Sequence, residues 1–399
     1  MRLYALDWLN FFLADVRGGL GAYINVYLMT EAHWSQATIG AVLSASGLIG
    51  ILLHAPVGAF IDRTRAKRGL VVAGVFALSG CGLAIAWSPT LAVVLVADIV
   101  MAVLGGVFAP VVAALTLGLV GRAALPAQLG RNAAFDRAGN LFIAVVVGMV
   151  GTALSQRAPF YLAPLFAVLT TTAVLSIPAQ AIDHGRARGL DGSNTETRRP
   201  VPWHVLLRHR PLLVLAVGAA LFHFANAPML PLVVQRLALA NPGWETGLTS
   251  AAIIAAQLTT ILMALLITMA NRFGRKPLLL LAFAALPLRG ALCAWIGDPS
   301  WLLLVQLLDG MGGGLLDAVM PLVLADIMRG TGDYSLARGL IGTIQGVGGS
   351  SSQVVAGTIA AGAGYGTAFL ALTAVALIAL LVMAVAMPES TPRTERGAT

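Results

Sequence analysis

Residues 91–117 read LAVVLVADIVMAVLGGVFAPVVAALTL, a stretch carrying one charge, Asp98. A helix crosses the hydrocarbon core of a bilayer in about 20 residues, so this run is long enough to span it. Similar runs lie at 5–29, 37–60, 69–87, 131–155, 159–182, 212–236, 246–270, 277–297, 301–325, 338–361 and 366–387. Turn signals separate them: Ser88-Pro89, Ala158-Pro159, Asn241-Pro242-Gly243 and Asp298-Pro299. The composition agrees, with 58% hydrophobic residues, 11% charged residues and a mean hydropathy of +0.87. A soluble domain carries about 25% charged residues. Collagen, coiled coil and disordered chain are excluded on the same grounds. An outer-membrane barrel is excluded because its strands alternate polar and apolar residues. The expected fold is all-α and polytopic, with twelve transmembrane helices.

The net charge of +8 and pI of about 10.2 would suggest a nucleic-acid partner in a soluble protein. Here the positive residues occupy short gaps between apolar runs, so they set topology and no nucleic-acid partner is expected. With the N-terminus in the cytoplasm, 20 of the 25 basic residues fall on the cytoplasmic side. Arg157 alone falls outside, and Arg17, Arg137, Arg236 and Arg289 lie within spans. Both termini and the central loop are therefore expected in the cytoplasm, with the protein multi-pass in the inner (plasma) membrane. The first apolar run begins almost at Met1 and contains Asp7, Asp15 and Arg17, unlike a cleavable signal. Cys81 and Cys293 each sit inside an apolar run, as small core residues rather than a disulfide or metal pair.

The chain repeats itself. Trp34 and Trp244, Asp62-Arg63 and Asn271-Arg272, Arg122 and Arg329, and Leu129-Gly130-Arg131 and Leu336-Ala337-Arg338 recur at a spacing of 207–210. A nearly constant offset with matching loop chemistry points to a duplicated six-helix unit in parallel orientation. The expected organisation is an N-terminal bundle at 1–182, a linker at 183–211, a C-terminal bundle at 212–387 and a tail at 388–399.

The loop after the second span contains Gly58, Asp62 and Arg63, then Thr64-Arg65-Ala66-Lys67-Arg68. Its second copy reads Asn271-Arg272-Phe273-Gly274-Arg275-Lys276, which lacks only the acid. These loops, the twelve spans and the parallel repeat resemble the major facilitator superfamily over nearly the whole chain. The resemblance implies two six-helix bundles related by a pseudo-two-fold axis along the membrane normal, working by alternating access. It implies a conformational latch built from Gly58, Asp62, Arg63, Arg272, Gly274 and Arg275. It also implies a central cavity lined by helices 1, 4, 7 and 10. Three features depart from the family's patterns: Arg65 replaces a glycine, residues 144–152 lack the antiporter proline and one glycine, and span 4 has no arginine near Gly105-Gly106.

An ionisable side chain at bilayer depth costs a few kcal/mol or more, so it faces a partner or a cavity. Asp15 and Arg17 in span 1 are two residues apart and point to different faces. Asp98 lies in span 4, His223 and Asn226 share one face of span 7, and Asp309 and Asp317 lie on span 10. All fall on the lining helices, and they form the expected substrate and proton site. Asp136 and Arg137 in span 5 are a candidate gate or ion pair. Arg289 on a peripheral helix reads as a structural pairing residue, and His54 as a packing residue. Four acids against Arg17 favour cationic or neutral substrates.

The glycines of 310–314 have no preceding strand and no following Lys-Ser/Thr, so they are no nucleotide loop. The sequence shows no metal-ligand spacing and no catalytic constellation, so no enzyme activity and no cofactor are expected, with the proton as coupling ion. The leading reading is a monomeric secondary transporter exporting a small organic solute. Uptake by proton symport or uniport is the alternative, and a receptor or scaffold on the same fold ranks after it. Cysteines introduced at Ala66 and within 190–199 should label with impermeant reagents only from the cytoplasm, and those at Ala32 or Gly243 only from outside. Outside labelling of 190–199 would rule out the two-times-six topology.

Overall fold

Backbone N–H and C=O groups find no water in hydrocarbon, so each apolar run closes its hydrogen bonds internally as a helix. The computed structural model describes residues 4–14, 20–64, 66–183, 209–266, 274–328 and 334–390, giving backbone alone at 55–56, 58–63, 122–123, 126, 264–266 and 334–335. The described residues contain no strand. The helices are α1 (Tyr4–Ala14), α2 (Leu20–Thr30), α3 (Gln36–Arg63), α4 (Lys67–Trp87), α5 (Leu91–Ala153) and α6 (Ala158–Leu175). The second half supplies α7 (Arg210–Asn226), α8 (Met229–Ala240), α9 (Glu245–Leu266), α10 (Arg275–Trp295), α11 (Pro299–Val305), α12 (Leu307–Ile327) and α13 (Tyr334–Ala386).

Helices and crossings do not correspond one to one. α5 holds two crossings joined at Gly121 (φ 72°), and α13 holds two joined at Gly364 (φ 85°). Only glycine adopts such angles without strain. Two crossings are made of two helices each, α7 with α8 and α11 with α12, and α1 and α2 both fall in the first apolar run. α7 and α8 meet at Ala227-Pro228, because proline has no N–H with which to continue the ladder. α11 and α12 meet at Gln306. Counted this way, the described residues are consistent with the twelve crossings expected.

Packing sorts the chain into two compact units. Unit one comprises Met1–His33, Ala45–Thr197 and Pro242–Ser250, and unit two comprises Trp34–Ser44, Arg198–Asn241 and Ala251–Thr399. Relative to the sequence halves, two short segments at the starts of α3 and α9 are exchanged.

Unit one is built on α1 against α5 and α6, and on α4 against α5 and α6. Its core includes Leu6, Leu9, Leu13, Val75, Phe108, Val111 and Leu115. Among lipid-soluble helices close packing does the work that hydrophobicity does in water, and small residues permit it. A side chain on Gly139 would collide with the backbone carbonyl of Phe11. The α9 start joins this unit where Gly148 faces Ser250 and Gly151 faces Thr246, and Tyr23 Oη and Ser250 Oγ lie 2.7 Å apart.

Unit two packs α13 against α7 and α10, and α10 against α12. The rings of Phe222 and Phe283 meet edge to face at 5.1 Å in its core. The start of α3 is seated on α13 by a polar clasp. Ser44 Oγ donates to Ser350 O at 2.6 Å and accepts from Val354 N–H at 2.8 Å. Those two backbone groups are the ends of one i to i+4 rung, so a side chain of α3 bonds both ends of a helical step of α13. Gly357 lets the backbones approach, since a Cβ there would sit 3.3 Å from Gly40 Cα.

These contacts set a graded expectation. Gly139→Ala should cost about 1–3 kcal/mol in detergent thermal unfolding, the range for an overpacked contact. Gly80→Ala, where a methyl group meets nothing within 4 Å, should change stability by less than about 0.5 kcal/mol. Equal melting of the two variants would show that the close approach of α1 and α5 is not a packing constraint.

Candidate transport site

In unit two the polar centre is Arg289 of α10, whose side chain is 0% exposed. Its Nη1 donates to Asp309 Oδ1 at 2.7 Å and to Asn226 Oδ1 at 2.9 Å, and its Nη2 donates to Gln306 Oε1 at 2.8 Å. Its Nε has no partner among the described residues. Each contact comes from a helix end. Asn226 is the last residue of α7, Gln306 is the junction of α11 and α12, and Asp309 lies in the first turn of α12. A carboxylate there is also favoured by the partial positive charge of the helix N-terminus. Gln306 is fixed in turn by donating Nε2 to Leu302 O at 2.8 Å. Gly290, the residue after Arg289, packs closely against Met229 and Thr373, since a Cβ there would lie 2.8 Å from Met229 Cε.

The structure thus brings together Asn226 and Asp309 of the sequence-predicted set, around a residue expected only to pair. The charge count from sequence changes accordingly: Asp309 has its own cation, on a neighbouring helix instead of its own. His223 lies one turn before Asn226, with its ring 5.6 Å from that of Phe222, edge to face. Its imidazole has no hydrogen-bond partner among the described residues. Asp317 is set apart from this cluster. It lines a cavity of about 150 Å³ with Arg338 and Gln345, walled by Met320, Pro321, Leu324 and Ile341.

In unit one Asp98 accepts a hydrogen bond from the buried Ser46 hydroxyl of α3. The register continues down the same two helices. A Cβ on Gly50 would meet Ala102, and His54 Nε2 lies 3.3 Å from Ala102 O. Residues 46, 50 and 54 of α3 therefore run beside 98, 102 and 106 of α5. Asp136 is linked to Asn140, whose Nδ2 donates to Asp136 O at 3.0 Å. Asp15 and Arg17 lie outside the described residues.

Two polar clusters were not legible in the sequence. Asp7, 1% exposed on α1, accepts two hydrogen bonds from Arg131 of α5, at 2.7 and 2.6 Å. Arg131 reads in sequence as one more cytoplasmic positive, and nothing in spacing links it to Asp7 across 124 positions. Beside it a buried chain runs from Gln128 Nε2 to Asn132 Oδ1 and from Asn132 Nδ2 to Thr116 Oγ1, both 2.9 Å.

The second cluster completes the loop that lacks an acid. Gly274 (φ 91°) opens α10, and the Arg275 backbone N–H donates to Glu389 Oε1 at 3.0 Å. Arg275 Nε donates to Asp326 Oδ2 at 3.3 Å. Ser390 Oγ donates to that oxygen at 3.4 Å. The acids are supplied by the end of α12 and by the segment after α13. Of the remaining latch residues, Gly58, Asp62 and Arg63 lie in α3 with backbone alone described, and Arg272 lies outside the described residues.

Comparison with known proteins agrees with this architecture. The sequence pattern of the Major Facilitator Superfamily matches residues 6–269 and 243–399. Two uncharacterized MFS-type transporters of Mycobacterium tuberculosis, from strains CDC 1551 / Oshkosh and H37Rv, are each 41% identical over 388 residues. The alignments cover 97% of this chain and 93% of each relative. The crystal structure of nucleoside transporter NupG superposes with a TM-score of 0.78 at 17% identity, covering 96% of this chain and 98% of that one. A POT family transporter in complex with a thioalcohol conjugated peptide gives 0.75 at 12% identity, covering 98% and 96%. Bacterial relatives of this kind place the chain in the plasma membrane. With the family pattern matched over nearly its whole length and relatives at 41% identity across 97% of it, the chain belongs to the major facilitator superfamily of membrane transporters.

Proposed function

We propose that the protein is a proton-coupled secondary transporter that exports a small organic solute by alternating access. The observation that carries this reading is Asp309. It is a carboxylate at membrane depth, beside a break in its helix, held by a fully buried arginine yet 16% exposed. Discontinuous helices near the midplane are where such transporters bind solutes and coupling ions. A proton on Asp309 cancels the charge that Arg289 neutralises, so the three-helix tie through Asn226, Gln306 and Asp309 is altered by one protonation. An acid that is loaded by proton and solute in turn produces exchange, which supports export. Asp15 is the partner site in the first half, and Asp62 with the 272–275 loop is the latch. No cofactor is needed, and the protein acts as a monomer with both termini in the cytoplasm. Uptake by proton symport is the second reading, favoured by the absence of the antiporter proline in residues 144–152.

Asp309→Asn alone would strand the buried Arg289 charge, a change that typically costs 3–5 kcal/mol in soluble proteins. The informative variant is therefore Asp309→Asn combined with Arg289→Gln, which keeps polar groups in place without an unpaired charge. In proteoliposomes the wild type should show faster solute flux with a pH gradient than without one. In the double variant, and in Asp15→Asn, that ratio should fall to unity while some flux remains. An unchanged ratio in both would make these acids structural and end the coupling assignment.

A further inference from the structure

Arg289 has hydrogen-bond donors only, which fixes the orientation of everything it touches. Asn226 must present its oxygen to the guanidinium, so its Nδ2 amino group, with two N–H donors, faces away. Asp309 uses Oδ1, which leaves Oδ2 as an acceptor. Both oxygens accept from the same Nη1, so the two side chains stand side by side. Among the described residues neither Asn226 Nδ2 nor Asp309 Oδ2 has a partner, and both side chains are partly exposed. One guanidinium nitrogen thus holds a side chain with a spare donor and a side chain with a spare acceptor, and the positive charge of Arg289 balances the negative charge of Asp309.

We infer that Asn226 and Asp309 form a charge-neutral recognition pair for solutes carrying an uncharged amide edge: a carboxamide, a lactam or a nucleobase. Such an edge offers a carbonyl oxygen beside an N–H, the complement of a donor beside an acceptor. A bare carboxylate would attract cations, and this one is prevented from doing so by a partner that is 0% exposed. The role of Arg289 is to position both groups and to set the net charge, and it makes no contact with solute. His223 lies one turn earlier on the same face of α7 as Asn226. The inference rests on the transport reading for its physiological meaning and on the Arg289 geometry for its chemistry.

The test is binding to the detergent-purified full chain, followed by calorimetry and thermal shift. The probes are uracil and nicotinamide, against 1,3-dimethyluracil, choline and succinate. Uracil should bind at least about tenfold more tightly than 1,3-dimethyluracil, which lacks the N–H, a difference worth about 1.4 kcal/mol. Asn226→Asp keeps an oxygen for Arg289 and replaces the donor with an acceptor, so uracil affinity should fall at least about tenfold and choline affinity should rise. Equal binding of uracil and its dimethyl derivative, failure of both uracil and nicotinamide to bind, or preference of the wild type for choline would overturn the inference. The wild-type comparison stands even where a variant fails to fold. Counterflow in proteoliposomes separates the two readings: uracil binding without counterflow removes transport and leaves the recognition pair, whereas choline counterflow without uracil binding does the reverse.

Discussion

A guanidinium placed in hydrocarbon must recover from protein atoms the interactions that water would have given it, and Arg289 is the place where this chain meets that demand. Three acceptors converge on it from α7, the α11/α12 junction and α12. Satisfying one buried cation therefore ties three crossings together through side chains that all sit at helix ends. The end of α7 exists because Pro228 interrupts the α7/α8 crossing, and α12 starts after the junction at Gln306. The same junctions leave side chains at helix ends free of the regular ladder, and three of these meet the arginine.

Elsewhere the helices are held by approach distance and by isolated polar clasps. Glycines at 50 and 139 allow contacts that a methyl group would block. Where backbones come close, short side chains reach across: Ser46 to Asp98, and Ser44 to both ends of a rung of α13. A hydroxyl that bonds a neighbouring helix this way is satisfied only while the helices stay together. Such a contact is both adhesive and releasable, unlike the multiply bonded Arg289 cluster. The Asp7–Arg131 pair sits between these extremes, with one partner fully buried and the other half exposed.

The second-copy loop, which has no acid of its own in sequence, receives its acids from elsewhere in the chain. The sequence places an acid beside the arginine only in the first copy, at Asp62. In the second, Arg275 finds Asp326 on α12, and the amide of Arg275 finds Glu389 after α13. The left-handed backbone of Gly274 brings the start of α10 against that carboxylate, and a side chain there would displace it. The contact depends on conformation and not on sequence neighbours.

The crossings, their number, the duplicated organisation and the family loops were determined by the sequence itself. Hydrophobic length, turn residues and loop charge are local properties, and the bilayer reads them locally. The sequence also marked Asn226 and Asp309, because a polar residue in an apolar run is conspicuous in one dimension. It could not pair them. Asp309 with Arg289, Asp7 with Arg131, and Arg275 with Asp326 join residues 20, 124 and 51 positions apart. Helix periodicity says which face a side chain takes on its own helix, and nothing about which neighbour that face meets. For the same reason the exchange of Trp34–Ser44 and Pro242–Ser250 between the packed units had no signature in sequence. Tertiary packing decided it, through glycine gaps and serine hydroxyls that become informative only once two helices lie within reach of each other.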